Sequence, residues 1–174
     1  MLRSTGLLSL AFASLLVAAC GGGQHAPTLP NGQKLAIMVM LDRTLPPNTE
    51  PDKAQQLQQV SETFESDLVD VLRANGYDAA AVTAVDNGND PGRYLLRTQI
   101  LNYNAGSKAA RMFVGFGAGS ARLDAAYELV GPGGASYLKG TPGVSTSKAD
   151  WRRVVRKVNE DIVDAVNVRL RQSL

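Results

Sequence analysis

A chain of 174 residues, 44% hydrophobic and 20% charged, has the size and make-up of one globular domain plus a short appendage. A formal net charge of +2 gives no bulk electrostatic ground for nucleic-acid binding. One cysteine, Cys20, and one histidine, His25, exclude an intrachain disulfide; beyond residue 25 they exclude thiol nucleophiles, imidazole bases and the common zinc sites.

Arg3 forms a short basic region ahead of "GLLSLAFASLLVAA", Gly6 to Ala19, an unbroken run of apolar and small residues. The run is shorter than the ~20 residues of a comfortable membrane span, and it fits the h-region of a secretory leader. It ends in Val17-Ala18-Ala19-Cys20, which resembles the lipobox of bacterial lipoproteins. That resemblance implies a leader over residues 1–19 and a lipidated Cys20 as the first mature residue. Gly21, where enteric bacteria place Asp for inner-membrane retention, points to the outer membrane, facing the periplasm. Residues 20–33, rich in Gly and Pro, read as a flexible tether. His25 within it is a solvated linker residue, since one histidine without partners holds no metal.

Residues 34–174 read as a single α+β domain. "KLAIMVMLD", Lys34 to Asp42, is a buried strand. A helix follows from Pro51 to Ala74, with Thr49 or Asn48 as cap, and Leu57, Val60, Phe64, Leu68 and Val71 as its apolar face. Asn75-Gly76 ends it. Ala79 to Val85 and Arg93 to Asn104 read as two strands joined as a hairpin through "DNGNDPG". The acidic and amide side chains of that turn lack the spacing and bidentate glutamate of a calcium loop. In "SARLDAAYELV", Ala121, Leu123, Ala125, Tyr127 and Leu129 face one way, and Arg122, Asp124, Ala126, Glu128 and Val130 the other. "GPGG" turns the chain into a last strand around Ser136 to Lys139. A second helix spans Lys148 to Gln172, opened by the Ser147–Asp150 capping signature, with Trp151, Val155, Val158, Ile162, Val166 and Leu170 on its apolar face. The expected architecture is a roughly five-stranded, mostly antiparallel sheet with two long amphipathic helices packed on one face. The other face carries Arg97, Gln99, Arg122, Asp124 and Glu128.

Gly115, Gly117 and Gly119 invite comparison with a phosphate-binding loop. Their G-x-G-x-G spacing leads into a strand rather than a helix, and "AGSKAA" has Ser107 before Lys108, the reverse of a P-loop. No nucleotide, metal or other cofactor is expected. Met112, Phe113 and Phe116 either plug the core or, beside Arg111, present an apolar patch to a partner. The segment "YNAGSKAARMFVGFGAGSARLDAAYELV", Tyr103 to Val130, resembles the signature of the DUF4410 group of bacterial lipoproteins. Gly106, Ser107, Arg111, Gly115, Gly117, Gly119 and Ala121 match in order, while "GPGG" stands where that group usually carries an acidic residue in its final hairpin. The resemblance implies the fold and an envelope location. That family has no assigned activity.

Arg152, Arg153, Arg156 and Lys157 cluster at the start of the second helix, where the helix dipole disfavours cations; Glu160 and Asp161 stand four residues on from Arg156 and Lys157. The cluster is either a solvated face or a contact for an anionic partner. Candidate interaction residues are therefore Arg111, Phe113, Gly115, Phe116, Gly117, Gly119, Arg152, Arg153, Arg156 and Lys157. The functional expectation is a membrane-anchored envelope lipoprotein acting as a non-catalytic binding or assembly component. It is held to the membrane by its N-terminal lipid and has a protein partner in the envelope. The alternative is a carboxylate-based hydrolase of envelope polymers, with Asp42, Asp124 and Glu128 as candidate acids.

Overall fold

The computed structural model describes residues 26–29, 31–45, 49–84, 93–106, 120–147 and 150–173. Cys20, His25, Arg111, Phe113, Gly115, Phe116, Gly117 and Gly119 lie outside the described residues.

The elements run β1 (Ala36–Asp42), α1 (Pro51–Ala74), β2 (Asp78–Ala81), β3 (Arg93–Asn104), β4 (Ala121–Val130), β5 (Ser136–Gly140), β6 (Gly143–Thr146) and α2 (Trp151–Ser173). The α+β class, the two helices and the mostly antiparallel sheet agree with expectation. The sheet is mixed and has six strands, in the order β2-β1-β3-β4-β5, with β6 also paired to β4. The sixth strand arises because the chain breaks at Thr141-Pro142 and resumes against the first half of β4, Gly143 opposite Asp124 and Thr146 opposite Ala121.

The expected hairpin between the second and third strands does not form. β1 lies between them and is parallel to both, Ala36 standing opposite Asp78 on one side and Arg93 on the other. A helix between β1 and β2 carries the chain back to the end where β1 began, so β2 adds in parallel. The antiparallel part begins at β3–β4, whose register shifts between Ile100 and Asn102 and leaves Leu101 as a bulge.

The alternation of β4 holds throughout. Ala121, Leu123, Ala125, Tyr127 and Leu129 are all buried, and they join Ile37, Val39, Tyr94 and Leu96 beneath the helices. α1 contributes Val60, Phe64, Leu68, Val71 and Leu72; α2 contributes Val155, Val158, Ile162, Val166 and Leu170. Burying a side chain of this kind contributes about 1.5–3 kcal/mol. Gly76 ends the α1 turn at φ +101°, a conformation that penalises any side chain. At helix starts the expectations need correction. Glu50, not Thr49, is the α1 cap residue and makes no side-chain cap bond, while Asn48 lies outside the described residues. α2 begins at Trp151, and Asp150 Oδ1 accepts the Arg153 amide at 3.2 Å, so the aspartate of the Ser147–Asp150 pair is the cap.

The two helices run in parallel. The Asn159 amide donates to the Phe64 carbonyl (3.0 Å) and Asp67 Oδ2 (2.9 Å); further along both helices Asn167 Nδ2 donates to Asn75 Oδ1 (3.0 Å). Both C-termini therefore lie at one end of the domain, here the lower end, together with the start of β1, the start of β3 and the close of β4. The helix starts, the close of β3 and the opening of β4 lie at the upper end. Residues ahead of Lys34 also belong to the lower end. Ala26 donates its amide to the Asn75 carbonyl at 2.7 Å, Leu29 packs on the core, and Thr28 bridges to Lys34 across a turn held by Gly32. The sheet's outer strands are each met by an arginine from a helix, Arg73 Nε donating to the Ala79 carbonyl (2.9 Å) and Arg169 Nε to the Tyr137 carbonyl (2.8 Å). Among the described residues no helix is long and apolar enough to cross a membrane.

Candidate functional site

Strand alternation places Met40 and Asp42 of β1, Arg97 and Gln99 of β3, Asp124, Ala126 and Glu128 of β4 and Lys139 of β5 on the face away from the helices. Arg97, Gln99, Arg122, Asp124 and Glu128 stand there as expected. Part of this face forms an open cleft of about 750 Å³, floored by Met40 and Ala126 and rimmed by Asp42, Thr83, Arg97, Gln99, Glu128 and Lys139. Gly140 lies at its margin, directly across from Tyr127.

Among the described residues, the acids of this face, Asp42, Asp124 and Glu128, are each engaged as anions. Glu128 is held by Lys139 at 3.0 Å and faces Arg97 at 4.0 Å. The hydrogen bonds from Lys139 and Ser136 bring its carboxyl below the usual glutamate range. Asp124 is bonded by Arg122 (2.9 Å) and Asn102 (3.2 Å), and the Arg122 bond leads in lowering its pKa. Asp42 accepts the Thr44 hydroxyl (2.6 Å) and amide (2.9 Å) on one oxygen and Gln99 Nε2 (3.2 Å) on the other; the Thr44 bonds lower its pKa. A carboxylate pair that cleaves a glycosidic bond needs one member kept protonated near neutrality, with its pKa raised. Here all three candidates move the other way. The cleft is equipped to bind polar or charged groups through Arg97, Lys139, Gln99 and Thr83, and its acids are in the wrong protonation state to donate a proton.

β3 closes at Asn104 and β4 opens at Ala121, both at the upper end, and α2 begins there with Arg152 and Arg153; Arg111 to Gly119 lie outside the described residues. Within the basic cluster the charges are used unequally. Arg156 bonds Asp67 (2.8 Å) on α1 and Glu160 (3.3 Å), and Lys157 bonds Asp161 (2.8 Å), so these two serve the helix pair. Arg152 lies over the Trp151 ring, 5.4 Å from its centroid, and the Arg153 side chain is exposed. The same end carries two exposed leucines, Leu45 (44%) and Leu101 (53%), which line one small cleft with Lys53 and Leu57. Sequence reasoning missed both. Leu101 follows Arg97 and Gln99 in the outward alternation of β3 and stands unpaired in the ladder at the bulge, a register shift that no local signal announces. Lys139 opposite Glu128 was legible only to a reader who knew how "GPGG" sets the register. Among the described residues no group of His, Cys, Asp and Glu is placed to hold a metal ion.

Two crystal structures of the PelC dodecamer from Paraburkholderia phytofirmans, one of a point variant, share the fold. Each is 17% identical, with a TM-score of 0.53, over 82% of this chain; the match covers 92% of the variant chain and 93% of the other. No curated protein matches the chain. The family described as domain of unknown function DUF4410 matches residues 25–150, so the chain belongs to the DUF4410 family.

Proposed function

We propose that this protein is a lipid-anchored component of a bacterial envelope, probing its surroundings with the upper end and acting by binding or assembly rather than by catalysis. The observation that carries this reading is the opposition of the two ends. The chain enters from Cys20 at the lower end, while the upper end gathers exposed Leu45 and Leu101 with Arg152 and Arg153. Large apolar side chains left in water beside exposed cations suit contact with a protein surface. The lowered pKa values of Asp42, Asp124 and Glu128 support a non-catalytic role. The dodecamer seen for the PelC protein makes a further copy of this chain a fitting partner alongside a different envelope protein.

Cross-linking in intact cells, followed by purification from detergent-solubilised envelope and mass spectrometry, tests this. Wild type is expected to bring down a stoichiometric partner cross-linked at the upper end, and Cys20→Ser is expected to lose both the partner and envelope retention. Equal retention of the two forms would overturn the anchor, and absence of a partner from both would overturn the assembly role.

A further inference from the structure

The lower end holds a second cleft, of about 710 Å³, between the N-terminal turn and the starts of β1 and β2. Leu29, Gln33, Lys34, Ala36, Arg73, Tyr77 and Asp78 line it. Its two cations approach from separate elements: Lys34 from the turn before β1, Arg73 from the last turn of α1. Asp78 is the single carboxylate among the lining residues. Arg93 stands opposite Ala36 in the register, and Arg171, at the end of α2, lies close enough to Tyr77 to act on it electrostatically. Arg73, Arg169 and Arg171 also complement the partial negative charge of the helix C-termini. Lys34 and Arg93 lie on no helix, so that role does not account for them.

Chain reach sets where this cleft sits. Ala26 is fixed to the domain by its bond to the Asn75 carbonyl and its packing on the core. Five residues separate it from Cys20, and Ala26 is the sixth residue on. Even fully extended, six residues span only about 20 Å, less than the width of the domain they carry. A tether of that length holds the lower end at the bilayer and gives the domain no room to turn over. The cations of that end then lie within a few Debye lengths of the lipid phosphates, the length being about 8 Å at physiological salt.

We propose that the Lys34–Arg73 cleft docks on the phosphate headgroups of anionic lipid and so fixes the orientation of the domain on the membrane. The proposal rests on lipidation of Cys20. It accounts for a concave, cationic surface at the one end that the tether brings to the membrane, and it leaves the upper end pointing away.

The test uses the purified full-length processed chain, its intact mass first read for acyl groups, inserted into vesicles of phosphatidylcholine alone or mixed with phosphatidylglycerol. A water-soluble acetylating reagent then reports the reactivity of each lysine by peptide mass spectrometry. Lys34 and Lys53 are both exposed and lie at opposite ends, so Lys53 is the internal control. Lys34 is expected to react about fivefold more slowly in the anionic vesicles, the effect expected of one cation at such a surface, with Lys53 unchanged. High salt is expected to abolish the difference. An acylated chain with equal Lys34 rates in both vesicles overturns the headgroup contact and leaves the anchor standing. A chain without acyl groups overturns the anchor and, with it, the orientation. Equal protection of Lys34 by inorganic phosphate without vesicles would reassign the cleft to a soluble anion and overturn docking.

Discussion

Replacing Gly140 with alanine tests how the β4–β5 edge of the open cleft is built. Gly140 stands opposite Tyr127, and a Cβ added there would lie 2.6 Å from Cε1 and 2.7 Å from Cζ and Oη of the tyrosine ring. Real Cβ atoms do not approach so closely, so the ring must move. Tyr127 is 9% exposed and part of the core, which leaves it little room. Overpacking of this kind costs about 1–3 kcal/mol. The φ of Gly140 is not positive, so alanine adopts the backbone freely and recovers about 0.4–1 kcal/mol through the unfolded chain. The net loss is about 1–2 kcal/mol, a fall in Tm of roughly 2–8 °C for a domain of this size. Urea unfolding followed by circular dichroism, on Gly140→Ala, Tyr127→Ala and the double variant, isolates the contact. On the Tyr127→Ala background, Gly140→Ala is expected to be neutral or stabilising, giving a coupling of about 1 kcal/mol or more. Additive losses would refute the argument, because the glycine would then be needed for something other than the ring.

Two further outcomes follow from side-chain partners. The carboxyl of Glu128 titrates below the ordinary 4.5 in the folded chain, so the stability it contributes is complete above 4.5 and is lost as pH falls through the lowered value; Glu128→Gln is expected to show a shallower fall of Tm on acidification than wild type, and parallel curves would count against the pairing with Lys139. Tyr77→Phe removes a buried hydroxyl that donates to Asn167 Oδ1 at 2.7 Å and is expected to cost about 1–2 kcal/mol, read as a lower urea midpoint; an unchanged midpoint would mean that the bond does not hold the lower end together.

The parts of this fold that were legible are those set by local periodicity. α1 could be bounded from Pro51 to Ala74 because proline opens it, Asn75-Gly76 closes it, and apolar side chains recur at helical steps between. The two faces of β4 could be assigned because one-residue alternation leaves no choice once one face is buried. Pairing was another matter. "DNGNDPG" carries strong turn signals, and they point to a hairpin that the topology does not make. What decides the outcome is that β1, the most thoroughly apolar strand, takes neighbours on both sides, and no residue near the turn reports that competition. The site divides in the same way. Asp42, Asp124 and Glu128 were found as strand acids, but their ionisation depends on Thr44, Arg122, Lys139 and Ser136, and only the first two lie within two residues of the acid they hold. The packing of Tyr103 on the core, in place of Asn102, depends on a bulge, which is a property of two strands together.

The placing of β1 between two later strands also governs the order in which the chain can fold. It is the first strand to be synthesised, yet its partners begin 42 residues later at Asp78 and 57 later at Arg93. Until both have emerged, its Ile37, Val39 and Leu41 have no sheet to join, and α1 has no floor for Phe64 and Leu68. Closure of loops that long precedes the contacts that stabilise them, which slows folding and keeps the chain open during and after synthesis. For a chain threaded across a membrane before it folds, as the proposed lipid anchor requires, such delay is useful: the sheet cannot close early around β1. The same delay leaves β1 and α1 exposed in the unfinished chain, the form most in need of a chaperone.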